Sequence, residues 1–188
     1  MSKYKMIGPA VPNMPWQEGP ESFTGAPVWR YSENPIIGRN PLKNVVRIFN
    51  SAVMPYGDSF IGVFRGGAAP IETSEGWLLF YHGVTGTCNG YVYSIGGAIL
   101  DIDNPSMVKY RCEDFLLTPE QWYEERGFVP NVCFPCATIH DSESGRIAIY
   151  YGAADSYVGL AFTRLDDIMD YIKEHSRTTA ADTEIGRR

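Results

Sequence analysis

Asn50-Ser-Ala-Val-Met-Pro-Tyr-Gly-Asp-Ser-Phe-Ile-Gly-Val-Phe-Arg-Gly66, followed directly by Gly67-Ala-Ala-Pro-Ile-Glu-Thr-Ser-Glu-Gly-Trp-Leu-Leu-Phe-Tyr-His-Gly83, decides the fold. Each half reads as an apolar strand, a polar turn and a second strand that ends in a basic or titratable residue, Arg65 and then His82. Ala52 lies 13 positions before Arg65, and Ala69 lies 13 before His82. A third copy, Cys136-Ala-Thr-Ile-His-Asp-Ser-Glu-Ser-Gly-Arg-Ile-Ala-Ile-Tyr-Tyr-Gly152, has a longer turn, with 14 positions from Ala137 to Tyr151. Gly, Asp and Ser at the turns supply the backbone freedom and local hydrogen bonds that reverse a strand. A recurring strand pair predicts a β-propeller or another repeated antiparallel architecture.

The spacing of the copies sets a limit. A four-stranded blade needs roughly 40–50 residues. From Ala69 to Ala137 there are 68 positions, enough for one, but from Ala52 to Ala69 there are only 17. Either the first two hairpins are adjacent in one sheet, or a segment is missing at Arg65-Gly66-Gly67. The fold expected is all-β and propeller-derived.

Composition narrows the class. With 188 residues, 44% hydrophobic and 20% charged, the chain can bury a sizeable core. Its 13% aromatic content suits a β-rich core more than a carbohydrate-facing cleft. A net charge of −6 argues against nucleic acid as a partner. No apolar run is long enough for a membrane span and no signal-peptide core follows Met1, so the expectation is a cytoplasmic protein with no membrane partner. The four cysteines, Cys88, Cys112, Cys133 and Cys136, are then expected as reduced thiols. Cys133-Phe-Pro-Cys136 sits in a strand-like run without a second ligand pair and reads as core packing, not a metal site.

Residues 1–43 carry seven of the thirteen prolines and little periodicity, which predicts an extended arm. Trp16, Phe23, Trp29 and Tyr31 would be costly in water, so the arm docks on its own domain or on a neighbouring subunit, the latter making a homo-oligomer. The partial propeller domain occupies 44–176. Its strands are expected at 45–49, in the hairpins, at 91–100 (buried), 107–112 and 157–162. Thr118-Pro-Glu-Gln121 predicts an N-cap and a short helix closed by Gly127. Leu165, Ile168, Met169 and Ile172 recur with helical period, so 164–175 is an amphipathic helix on the last strand. The polar tail, 177–188, is expected to be disordered.

Polar groups at strand ends are the candidates for chemistry: Asn50, Ser51, Arg65, His82, Tyr93 and Asp155. Singly, each has an ordinary reading: a turn aspartate, a core histidine, a solvated arginine. The repeats place Arg65, His82 and the Asp155 loop at equivalent strand ends, which in a propeller converge near the axis. No phosphate-binding glycine loop, metal-ligand cluster or Ser/His/Asp constellation is evident.

Trp29-Arg-Tyr-Ser-Glu-Asn-Pro-Ile-Ile37, Phe49-Asn-Ser-Ala-Val53, Gly62-Val-Phe-Arg65, Phe80-Tyr-His-Gly83 and Tyr150-Tyr-Gly-Ala-Ala-Asp155 together resemble glycoside hydrolase family 130, the β-mannoside phosphorylases. The resemblance runs from about residue 28 to residue 175. It implies a five-bladed β-propeller and inverting phosphorolysis of a β-1,4-mannoside, mannosylglucose plus phosphate giving α-mannose 1-phosphate and glucose. No metal or organic cofactor is implied, with inorganic phosphate as co-substrate. By motif, Asn50, Ser51, Arg65 and Asp155 match positions that hold the mannosyl unit, and His82 and Tyr93 match the phosphate site. The resemblance also exposes a gap. In the family, a long segment carrying an Asp-Pro-Arg motif, whose Asp is the general acid, separates the sequences that here meet at Arg65-Gly66-Gly67. No Asp-Pro-Arg occurs in the chain, so no catalytic residue is assigned. The expectation is a propeller of two to three blades with impaired phosphorylase activity. The alternatives are an inactive sugar-binding or assembly remnant, or a β-mannoside hydrolase.

Overall fold

A computed structural model describes residues 2–41, 43, 51–56, 58–64 and 67–177. It is mostly β-sheet with two short helices. Asn50 and Arg65, the strand expected at 45–49, and the tail from 178 onward lie outside the described residues.

Two four-stranded antiparallel sheets carry the fold. The first has β4 (Ile71–Thr73), β5 (Gly76–Thr87), β6 (Gly90–Leu100) and β7 (Val108–Arg111), in chain order. The second has β8 (Cys133–Asp141), β9 (Arg146–Ala153) and β10 (Tyr157–Arg164), with β1 (Trp29–Arg30) added beside β10. The short hairpin β2 (Ser51–Tyr56) and β3 (Ser59–Phe64) forms a separate two-stranded sheet. The first two sequence repeats are therefore not adjacent hairpins of one sheet. The described residues form two complete antiparallel sheets and a half-sheet, and no closed propeller is present among them.

Register follows from the alternation of side chains. Leu78, Phe80, Ile95 and Ile99 point to one face of the first sheet and are buried. They meet Ile147, Ile149 and Tyr151 of the second sheet, with α2 (Leu165–Glu174) closing this core. That helix buries Leu165, Ile168, Met169 and Ile172, the positions its periodicity marked. The opposite face of the second sheet, Ala137, Ile139, Ala148, Leu160 and Phe162, forms another core under the Pro-rich arm. Trp16 and Tyr31 meet Phe162 edge-on, at 5.4 and 6.1 Å between ring centroids. Among the described residues the arm thus packs on its own chain. It bridges Met6 to Thr73 and Ile37 to Val158, and Val11 N–H donates to the Asp141 carboxylate over 2.8 Å.

Two local expectations are corrected. Residues 91–100 do not form a uniformly buried strand: β5 runs on to Thr87, and the β5–β6 hairpin extends past the core, so Tyr91 is exposed while Ile95 to Ile99 are buried. The helix after Leu117 begins late, as α1 (Trp122–Glu125) with Gln121 at its N-cap. Thr118 cannot serve as the cap because its hydroxyl pairs with Ser94 at 2.9 Å and its carbonyl accepts from Arg30 at 2.7 Å. Ser176, the last residue assigned to the domain, bridges to Cys112, and its hydroxyl accepts from Arg111 N–H.

Candidate functional site

His82 lies in the middle of β5 opposite Ile95, and Tyr93 lies two residues away on the same face of β6, opposite Val84. The His82 ring stacks with Tyr93 at 6.1 Å and sits 4.4 Å from Phe134 at the start of β8. His82 is exposed, and Tyr93 and Phe134 are half-buried. The segment 129–134 joins this corner to the Asp155 turn. Tyr93 N–H donates to the Asn131 carbonyl over 2.9 Å, and Ala154 N–H donates to the Val132 carbonyl over 3.0 Å. The structure therefore brings His82, Tyr93 and the Asp155 turn to one edge where the two sheets meet. Ser51 begins β2, and that strand runs close to β8.

The Asp155 turn is unusual chemically. Ala154 and Asp155 both take positive φ, 47° and 49°, between paired Ala153 and Tyr157. In this three-residue loop they are the central pair of a β-turn, a place that favours Asn-Gly, because non-glycine residues in the left-handed region cost roughly 1–2 kcal/mol each. Neighbouring backbone holds the turn in place: Val129 N–H donates to the Ala154 carbonyl, and Ser156 N–H to that of Ala153. The Ser156 hydroxyl, fully buried, accepts from Phe128 N–H at 2.9 Å. Such strain persists only where the surroundings over-determine it, and it concentrates at ligand sites.

Beneath this edge lies a buried polar network that sequence reasoning missed. Arg30 on β1 makes a forked pair with Glu124 on α1, Nε to Oε1 at 2.7 Å and a terminal nitrogen to Oε2 at 2.9 Å. Glu124 is fully buried. Its carboxylate also accepts from the Tyr151 hydroxyl at 2.8 Å and from the backbone of Glu120 and Gln121. Asn34 extends the network, pairing with both backbone groups of Leu160. Burial alone would lower the Arg30 pKa, but hydrogen bonds and the charge of Glu124 raise it further. Burial, then the Glu124 charge, pushes the Tyr151 phenol and the Cys133 thiol well above their ordinary values. Cys133 is thus an inert core thiol, and no group of metal-ligating residues is found among the described residues. The motif Trp29-Arg-Tyr-Ser-Glu-Asn34 contains two members of this network, Arg30 and Asn34, which is the signal that could have revealed it.

Open clefts lie elsewhere. One of about 640 Å³ runs along the first sheet beside Tyr81, Ser94 and Arg111, and two others flank the arm and α2. None of the three is lined by His82, Tyr93 or Asp155. The sequence-derived residues form an open corner, not a closed pocket.

A family description, glycoside hydrolase 130, beta-1,4-mannooligosaccharide phosphorylase, matches residues 61–174, and the chain belongs to that family. It is 61% identical over 110 residues to the beta-1,4-mannooligosaccharide phosphorylase of Ruminococcus albus, covering 58% of this chain and 33% of that protein. It is 31% identical over 106 residues to the 4-O-beta-D-mannosyl-D-glucose phosphorylase of Bacteroides fragilis, covering 56% of this chain and 26% of the relative. Among solved structures, the beta-1,2-mannobiose phosphorylase from Listeria innocua superposes with a TM-score of 0.52 at 27% identity. That match covers 81% of this chain and 48% of the other. The chain spans about a third or less of the length of the curated relatives it matches. No helix among the described residues is long and apolar enough to cross a membrane.

Proposed function

We propose that the chain is a shortened β-mannoside phosphorylase unit that holds a mannoside and phosphate at the His82–Tyr93–Asp155 corner with greatly reduced turnover. The observation that carries this reading is the convergence of His82, Tyr93 and the turn that carries Asp155 on the 129–134 segment, through Phe134, Asn131 and the Ala154 backbone. Asp155 supplies a carboxylate that accepts charge-assisted hydrogen bonds from sugar hydroxyls, with Asn50, Ser51 and Arg65 as further mannosyl contacts. His82 and Tyr93 present donors to phosphate. The full reaction is inverting attack of phosphate on the β-mannosidic carbon, giving α-mannose 1-phosphate and a released acceptor sugar, without metal or organic cofactor. The Ruminococcus and Bacteroides relatives support a β-1,4 donor, whereas the Listeria structure is that of a β-1,2-mannobiose enzyme. Mannosylglucose, with glucose as acceptor, remains the donor the sequence motifs suggest, and the more similar Ruminococcus relative favours a mannooligosaccharide.

Turnover is small because the proton donor to the leaving oxygen is missing at the Arg65-Gly66-Gly67 junction. A positioned general acid contributes about 10²- to 10⁴-fold, and one electrostatic donor to the reacting group about 10²- to 10³-fold. An open corner also admits water, which weakens each charged contact. The test is a phosphate-dependent assay of mannose 1-phosphate release from mannosylglucose and from β-1,4-mannobiose. It is run beside a chain carrying the family's intervening segment. Saturable mannoside binding by calorimetry with turnover at least 100-fold lower in the short chain is expected. Equal turnover refutes the missing-acid argument, and no binding refutes the site.

A further inference from the structure

The peptide group between Asn131 and Val132 links the candidate site to the buried network. Its N–H donates to the Glu124 carbonyl over 3.1 Å, and its carbonyl accepts from Tyr93 N–H over 2.9 Å. The next carbonyl along, that of Val132, accepts from Ala154 N–H in the Asp155 turn. A displacement of Glu124 therefore passes through one peptide to Tyr93 and through the adjoining one to the turn. Two features leave little slack. Asn131 is in the left-handed region, with φ 60°, so the orientation of this peptide is held by its neighbours. A Cβ added at Gly127 would lie 2.1 Å from the Ala154 carbonyl oxygen, so the chain leaving α1 packs hard on the turn.

Glu124 itself is held through its side chain. The carboxylate takes the Arg30 fork and the Tyr151 hydroxyl, and the same guanidinium donates to the Thr118 carbonyl. The Thr118 hydroxyl in turn meets Ser94, the neighbour of Tyr93 on β6. One buried ion pair thus connects β1, α1 and β9 directly, and β6 through Thr118. As a source of stability such a pair is poor, because well-packed apolar residues of similar volume often match or exceed it. What apolar residues cannot supply is direction: forked, charge-assisted hydrogen bonds fix both distance and angle. We propose that Glu124 is a positioning residue of the mannoside site. The Arg30 fork sets the Asn131–Val132 peptide and, through it, Tyr93 and the Asp155 turn. Fully buried, Glu124 acts through that peptide and not on the sugar. The proposal rests on the reading of this corner as the sugar site.

Three variants of the full chain separate positioning from stability. Glu124→Gln keeps the shape but turns an amide NH2 toward donors. Arg30→Met with Glu124→Leu keeps similar volume and removes both charges. Gly76→Ala destabilises the first sheet at its β4–β5 turn, away from the network. Calorimetry measures the affinity for β-1,4-mannobiose at a temperature where circular dichroism shows each variant folded. Native-state amide exchange by NMR follows Tyr93, Val132 and Ala154 relative to Ala148 and Ile149, which lie in the core of the second sheet. Positioning predicts that Glu124→Gln and the double variant raise the dissociation constant about 10- to 100-fold. In both, the three amides exchange about tenfold or more faster relative to the core pair, even where the double variant has regained its melting temperature. Gly76→Ala lowers the melting temperature and leaves affinity and relative exchange unchanged. Wild-type affinity in the folded double variant overturns the proposal, and so does fast exchange of the three amides without loss of affinity. Gly76→Ala matching Glu124→Gln in both readouts also overturns it, since general destabilisation then suffices. A wild-type chain that binds no mannobiose refutes the sugar site, and the relative exchange of the three amides still decides whether Glu124 fixes the peptide.

Discussion

Replacing Glu124 by Ala is the most informative perturbation of this fold. The change removes both Arg30 contacts, the Tyr151 hydroxyl bond and the two backbone donors at the start of α1. It also leaves the Arg30 guanidinium, whose side chain is only 18% exposed, facing Glu120 at 3.3 Å as its remaining carboxylate partner. Breaking a buried ion pair from one side costs about 3–5 kcal/mol, because the surviving charge stays desolvated. In a domain of this size each kcal/mol shifts the melting temperature by about 2–4 °C, so a loss of about 10 °C is expected. Urea unfolding and calorimetry measure it. The paired variant Arg30→Met, Glu124→Leu removes both charges at similar volume and should recover at least half of the loss. A single-variant cost below about 1 kcal/mol, or strict additivity in the double variant, would refute the claim that this pair is buried and coupled.

Further outcomes follow from individual residues. Burial lowers the His140 pKa, with Asp141 acting in the opposite sense, and Gly8 of the arm lies close against its Nε2 edge. Its folded pKa is below the unfolded value, so its contribution is present above about pH 6.5 and is lost as pH falls through the folded value. The urea midpoint should drop between pH 7.5 and pH 5.5, and drop less in His140→Asn. Asp155→Asn tolerates the same left-handed backbone, so mannoside affinity should fall about tenfold or more with a melting temperature within about 1 °C of wild type. A loss of several degrees with unchanged binding would make Asp155 a turn residue only. Gly76→Ala meets the Leu100 carbonyl oxygen at 2.1 Å from a φ of 138°, and should cost at least about 2 kcal/mol by chemical denaturation.

What was legible in the sequence was what local pattern controls. Alternation and turn chemistry marked β4–β5 and β8–β9, and a 3.6-residue period marked α2 with its four buried residues. The 17-residue spacing showed that no full blade separates the first two hairpins, which now lie in separate sheets. Long-range pairing was not legible. Nothing local to Trp29–Arg30 says that two residues in a Pro-rich arm will pair with β10, or that Arg30 will find a carboxylate 94 positions away. The cap at Thr118 failed for the same reason: its hydroxyl and carbonyl were claimed by Ser94 and Arg30, both distant in sequence. For the candidate site, motif resemblance named His82, Tyr93 and Asp155, whereas the approach of the first two and the Asp155 turn to 129–134 depends on how the two sheets dock.

The seating of the arm has a kinetic consequence. Pro27 accepts from the Thr163 hydroxyl 136 residues away, and Tyr4 N–H reaches Asp166 across 162. During synthesis the arm must therefore wait for a segment made some 136 to 162 residues later before it finds its place. Until then the aromatic side chains of the arm and the face that receives them are both in water. Such non-local closure slows folding and lengthens the window for association with other nascent chains. Lower growth temperature, or co-expressed chaperone that shields the arm, should raise the soluble yield more than any substitution in the sheets themselves.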